Sequence, residues 1–267
     1  MITFITSKIL LITFAVILLN ILLIPLGCLV LWQRQTYFCE GIAHGCFLAI
    51  AITTISGLPI IITVLAVSII LALLLSYAQS TNKDSVTSTH VIAHGMVALS
   101  VILFNVISTR YSMNVSSIFF GDILSIKTQD LITISIVAFC VIFIIFRYLN
   151  QFILLSLNHE LAFARKIVPW KLELLLLLML SITIAVTVKI IGTLLVSALT
   201  TIVPATIRMF SSTPKQMMVV SLITGIIISC FCLFLSFTFD LPTTALITTV
   251  EALIFLIAIA FSKRRNA

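Results

Sequence analysis

The chain has 267 residues, of which 61% are hydrophobic and 9% charged, with a formal net charge of +7 and a mean hydropathy of +1.32. A soluble domain carries roughly 25% charged residues, so this composition excludes one: too little polar surface exists to face water. The positive charge does not point to nucleic acid, because the basic residues sit at the ends of apolar runs and form no patch with interleaved aromatics.

Polar residues fall in short islands between apolar runs. Backbone groups in lipid must pair within the segment or within a closed barrel, and runs such as 60–76 and 172–184 lack the alternation of barrel strands. The chain therefore reads as a single all-α polytopic membrane domain over residues 1–267. Nine spans are expected, at 9–32, 40–57, 59–78, 90–108, 130–149, 171–190, 191–208, 217–238 and 242–261. The second is short and the seventh holds Pro204, so eight is the alternative.

The first run, 9–32, is longer than a signal-peptide core and lacks a small-residue cleavage site, so it reads as the first span. With the N-terminus outside, eleven basic residues lie at inner ends (Arg34, Lys83, Arg147, Arg165, Lys166, Lys171, Arg208, Lys215, Lys263, Arg264, Arg265) and four at outer ends (Lys8, Arg110, Lys127, Lys189), together the fifteen of the chain. The positive-inside rule then fixes N-out, C-in.

Near the inner end of the second span, Glu40 and His44 are four apart and share a helix face. Carboxylate and imidazole suit a borderline divalent cation such as Zn²⁺. His90 and His94 repeat the spacing at the start of the fourth span. Each pair has two readings, hydrogen-bonded helix packing or transient metal contact, and ionisable groups at membrane depth mark pathways by default. The six cysteines contain no C-x-x-C and read as small buried hydrophobes. Only Cys39 and Cys46, which flank His44, keep a metal-ligand alternative.

Two islands exceed a turn. The outer one, about 109–129, holds an apolar patch before Gly121 and Asp122, which suits a short interfacial helix. The inner one, about 151–171, carries Asn158 as an N-cap and then Glu160, Leu161, Ala162, Phe163 and Ala164, all compatible with a short helix that Pro169 ends. Such a helix either lies on headgroups or docks a soluble partner. His159-Glu160 begins an H-E-x-x-H pattern, but Phe163 replaces the second histidine, and neither a P-loop nor a G-x-S-x-G occurs. No enzyme is indicated.

Further on, Lys189 lies at an outer span end, where snorkelling suffices to explain it. Ser197, Thr201 and Ala205 form a small-residue stripe that permits close helix approach, and Pro204 frees a backbone carbonyl near its inner end. Glu251 lies inside the last span without an evident partner.

Six separated stretches carry a resemblance. They are 34–44, ending in Glu40, three residues and His44; Ala93-His94-Gly95; Phe120-Gly121-Asp122-Ile123-Leu124; the inner stretch 158–164; Lys189-Ile190-Ile191-Gly192 followed by Pro204-Ala205-Thr206 and Arg208; and Thr213-Pro214-Lys215-Gln216-Met217. In this order they resemble, over essentially the whole length, the permease subunits of bacterial zinc/manganese ABC importers, a metal-ion family of BtuC-like type, and the zinc branch most closely. Glu40 stands where that family usually has Asp, His90 where zinc-branch chains tend to have Gly, and Ile207 where Ala is usual. The first two departures bear on metal preference.

The resemblance implies a homodimeric permease in the bacterial inner membrane that carries Zn²⁺, or Mn²⁺ or Fe²⁺, as transported substrate and holds no tightly bound cofactor. It implies a cytoplasmic ABC ATPase docking around 158–166 and a periplasmic metal-binding protein at the outer face. Glu40, His44 and His94 become the expected pathway contacts, with His90 a weaker one. Lys189, Gly192, Ser197, Thr201, Pro204 and Arg208 become the expected pathway or dimer-packing residues. A proton-coupled secondary metal carrier and a non-transporting structural or sensor protein remain the alternatives.

Overall fold

The structure, a computed structural model, describes residues 2–81, 85–108, 120–121, 123–157 and 159–265. Every regular element among them is helical: α1 (Ile2–Trp32), α2 (Thr36–Ser56), α3 (Ile60–Thr81), α4 (Ser85–Ser108), a 3-10 turn (Ile123–Ser125), α5 (Thr128–Leu157), α6 (His159–Ala164), α7 (Pro169–Arg208), α8 (Pro214–Phe239) and α9 (Thr243–Arg265). Six of these helices are long and apolar enough to cross a membrane, and α3 and α4 contribute the shorter apolar segments Ile61–Leu74 and His90–Val106. Most of the expected outer island, and with it Asp122, lies outside the described residues.

The 40-residue α7 is two helices joined at Gly192, whose φ of 71° and ψ of 173° belong to a region open essentially to glycine alone. The chain reverses there. Residues 185–190 lie beside Ile50, Ile61 and Asp130, at the end of the bundle where α2 meets α3 and α5 begins. Thr200 has returned to Gly27 and Cys39, near the opposite end. The break thus falls one residue past the expected 190/191 boundary. Gly121 (φ 64°) packs against it so closely that a Cβ there would meet the backbone of residues 190–192.

One end of the bundle gathers the close of α1 and the starts of α2, α7 and α8. Gln33 Nε2 donates to the Phe152 carbonyl at 3.2 Å, and Trp32 Nε1 lies 3.2 Å from Met217 Sδ. This end carries Arg34, Arg147, Arg165, Lys166, Lys171, Arg208 and Lys215, and is the cytoplasmic one by the positive-inside rule. The other carries Lys127 and Lys189. Two helix ends at the cytoplasmic side are closed by local hydrogen bonds. Arg34 takes a left-handed φ of 57° and lets the Gln35 N–H bond back to the Val30 carbonyl at 2.9 Å. Thr213 caps α8 by accepting from the Gln216 N–H at 3.2 Å, with Pro214 in the first turn.

α1 is the central helix. Leu19, Leu22, Leu23, Ile24, Leu26 and Leu29 are each 1% exposed or less. Its neighbours are α7, α8 and α5. Asn20 offsets its polarity within the apolar interior by donating to Ser229 Oγ at 3.1 Å and to the Val16 carbonyl at 2.8 Å. α5 turns Ile132, Ile136, Phe139, Phe143 and Phe146 outward, a lipid-facing surface for a helix of this composition.

Two expectations shift. α5 continues through Leu157, so the first third of the inner island is helix. Pro169 does not end the short helix: α6 stops at Ala164, and Pro169 instead opens α7, where its missing N–H costs nothing.

Candidate metal pathway and coupling surface

α2 and α4 pack side by side with both N-termini at the cytoplasmic end. The Tyr37 ring lies 4.2 Å from the His90 ring, centroid to centroid, and this contact brings the two i, i+4 pairs to a common face. On α2, His44 Nε2 lies 3.6 Å from Glu40 Oε1, with the two side chains 28% and 48% exposed. The other imidazole nitrogen, Nδ1, is buried and has no hydrogen-bond partner among the described residues. On α4, His94 Nδ1 bonds the His90 carbonyl at 2.9 Å, which leaves Nε2 as the outward nitrogen, and the two rings are 5.8 Å apart. His94 is exposed, and a Cβ at Gly95 would meet nothing within 4 Å.

Within one chain these residues do not converge on a point. Among the described residues no group of three His, Cys, Asp or Glu side chains is arranged to hold a metal ion. The chemistry available is a two-ligand contact, carboxylate and imidazole, on a face left open. A contact of this kind has fewer ligands than the closed four-ligand site of a structural zinc. Tyr37, which joins the two pairs, carried no spacing signal. Cys39 and Cys46 are buried away from this face. Cys39 Sγ lies 3.2 Å from Thr200 Oγ1, and Cys46 Sγ 3.8 Å from Ser68 Oγ.

At the outer end, Lys189 does more than reach for headgroups. Its Nζ donates to Asp130 Oδ1 at 3.1 Å, while Asp130 Oδ2 accepts from the Lys127 N–H at 3.2 Å. One carboxylate thus caps the start of α5 and ties it to α7 just before the Gly192 reversal. The Thr-Gln-Asp run at the head of α5 is an N-terminal signal that could have flagged Asp130.

On the returning half of α7, Ser197, Thr201 and Ala205 are all half-buried, and Arg208 is exposed, so one stripe of that helix is incompletely covered. Thr201 Oγ1 donates to the Ser197 carbonyl at 2.6 Å. Pro204 is buried, and the Thr200 carbonyl it leaves unpaired occupies the space a Cβ on Gly27 would need. Glu251 on α9 is 1% exposed and faces a small cavity with Val203, Thr206, Thr224 and Ile228; its oxygens have no hydrogen-bond partner among the described residues.

Of the cytoplasmic residues, Asn158 lies outside the described residues. Leu161 and Ala164 belong to α6 by backbone. Ala162 is fully buried, whereas Glu160 is exposed and Phe163 is 73% exposed. α6 closes on the Ala162 carbonyl, which accepts from Arg165 N (3.2 Å) and Ile167 N (3.0 Å), with Lys166 at a left-handed φ of 57°. A short helix fixed at its C-terminal end thus projects a bare phenyl ring beyond the bundle.

Residues 6–262 match the ABC 3 transport family. The chain is 30% identical over 235 residues, 88% of its length and 90% of the relative's, to the high-affinity zinc uptake system membrane protein ZnuB of Buchnera aphidicola subsp. Schizaphis graminum. It is 26% identical over 247 residues, 90% and 86% of the two chains, to the manganese import system permease protein ScaB of Streptococcus parasanguinis. Its fold is similar to PsaBC from Streptococcus pneumoniae in complex with Fab, with a TM-score of 0.79 at 23% identity, covering 92% of this chain and 89% of that one. A multi-pass helical bundle of this topology, matched from end to end, belongs to the ABC 3 transport family of metal-ion permeases.

Proposed function

We propose that this chain is the transmembrane subunit of an ATP-driven importer that carries Zn²⁺, with Mn²⁺ and Fe²⁺ as competing cargo, across the bacterial inner membrane. The observation that carries the reading is the open Glu40–His44 pair on α2, held beside His90 and His94 on α4. Two ligands on an uncovered face suit a path between two copies of the chain, in which a second subunit supplies the ligands one copy lacks. Hard carboxylate and borderline imidazole together accept all three metals, so the donor set alone does not select among them. The similarity to a zinc permease favours Zn²⁺.

The power comes from a separate cytoplasmic ATPase, which α6 engages through Phe163 and Glu160, and metal arrives from a periplasmic binding protein at the Lys189 end. The test is metal uptake in zinc-starved cells that express the whole transport system, with Mn²⁺ and Fe²⁺ as competitors. His44→Ala with His94→Ala is expected to reduce Zn²⁺ uptake at least about tenfold, because it removes two imidazoles from the metal's route. Uptake at the level of the unmodified protein would remove these residues from the pathway. Uptake that persists when the ATPase lacks its Walker-A lysine would overturn the assignment to an ATP-driven system.

A further inference from the structure

Behind α6 the cytoplasmic end of the bundle carries a groove of about 350 Å³ between the last turns of α5 and the α6–α7 connection. Arg165, Lys166 and Lys171 line it, and among the described residues none of its lining is acidic. These cations differ from Lys189, which has Asp130: none of the three forms an ion pair with a carboxylate among the described residues. The hydrogen bonds that close α6 on the Ala162 carbonyl fix the backbone carrying Arg165 and Lys166. Tyr148 and Gln151 on α5 add neutral polar groups to the opposite wall.

The floor decides what this charge is for. Leu172 and Leu175 form part of it, and they belong to the membrane-spanning first half of α7. Trp170, 59% exposed, precedes Lys171, whose ammonium lies 5.7 Å from the indole ring, the amphipathic pairing of a membrane–water boundary. A soluble protein docking on the cations alone would leave the exposed Val168 and the half-buried Leu175 uncovered. A lipid covers both, with its phosphate among the cations and its acyl chain along α7.

We infer that this groove is a binding site for the phosphate of an anionic phospholipid of the cytoplasmic leaflet. A juxtamembrane cation contributes about fivefold in affinity for such a surface, so three contribute roughly a hundredfold. The inference is independent of the metal carried; Arg165 and Lys166 border the stretch expected to engage the ATPase, so ATPase co-purification is read in the same variants.

The full chain in neutral detergent is titrated with phosphatidylglycerol, and bound lipid is counted by native mass spectrometry, with phosphatidylcholine and inorganic phosphate as separate arms. Saturable phosphatidylglycerol binding is expected, without equivalent phosphatidylcholine binding and without competition by inorganic phosphate. The triple variant Arg165→Gln, Lys166→Gln, Lys171→Gln should bind roughly a hundredfold more weakly. Should that variant fail to fold, Lys171→Gln alone should weaken binding about fivefold and Lys171→Arg should restore it. Unchanged phosphatidylglycerol affinity in the triple variant, or in Lys171→Gln, overturns the inference. So does competition by inorganic phosphate, which would make this a free-phosphate site, and so does loss of ATPase co-purification with lipid binding intact, which would make it a protein surface.

Discussion

Replacing Gly27 by alanine tests a backbone-to-backbone approach of α1 and α7. The Cβ would lie 2.7 Å from Thr200 Cα and carbonyl carbon, whereas ordinary contact begins at 3.4 Å, and the carbonyl oxygen is nearer still. At least about 0.7 Å must be found by moving backbone against backbone, because no flexible side-chain end stands in the way. The position exists because Pro204 denies Thr200 its helical donor and leaves that carbonyl facing α1. Overpacking of this kind costs about 1–3 kcal/mol, or roughly 2–12 °C in Tm for a chain of this size. Gly45→Ala is the internal control, since its Cβ would collide with the terminal methyl of Leu71, which can rotate aside. Thermal unfolding of both variants in the same detergent, followed by fluorescence-detected size exclusion, should show a clearly larger fall for Gly27→Ala. An equal or larger fall for Gly45→Ala would refute the argument that the carbonyl contact is the rigid one.

Gly192→Ala places a side chain where the backbone is open essentially to glycine, and should lower stability by about 1–3 kcal/mol in the same assay. Lys189→Gln should cost less than about 1 kcal/mol, because its partner pair is partly solvated, while Asp130→Asn should cost more because it also weakens the cap on α5; equal effects would show that the cap is immaterial. Thr213→Ala removes the α8 cap and should cost about 1 kcal/mol, measured as the shift in unfolding midpoint. Phe163→Glu should abolish co-purification of the ATPase while leaving the permease in the membrane at normal abundance, since this ring touches water and not the core. Retained co-purification would move the docking surface elsewhere.

The element list is largely legible, because lipid imposes a period that composition alone reveals: the sixth and seventh apolar segments part within a residue or two of Gly192. The pairings were not legible. Nothing in the spacing joins Asn20 to Ser229, or Asp130 to Lys189, since these contacts depend on which helix faces meet. The i, i+4 pairs of α2 and α4 were visible as pairs, but the parallel packing that brings Tyr37 onto His90 was not. Ala162 read as part of the docking helix because alanine is a strong helix former; its complete burial separates it from Phe163, the residue one step along that faces outward. Pro169 does not mark the end of α6, because proline is as much at home in a helix's first turn as just beyond its last.

The Gly192 reversal has a mechanical corollary. Both termini of α7 sit on the cytoplasmic side while its apex is pinned outside, so the hairpin is a pendulum hung from the periplasmic surface. With arms of about 34 Å for 169–191 and about 24 Å for 193–208, a swing of about 10° would carry the two cytoplasmic ends about 6 Å and about 4 Å yet scarcely disturb the suspension point. Motion applied from below is therefore greatest where cargo would leave and smallest where it would enter.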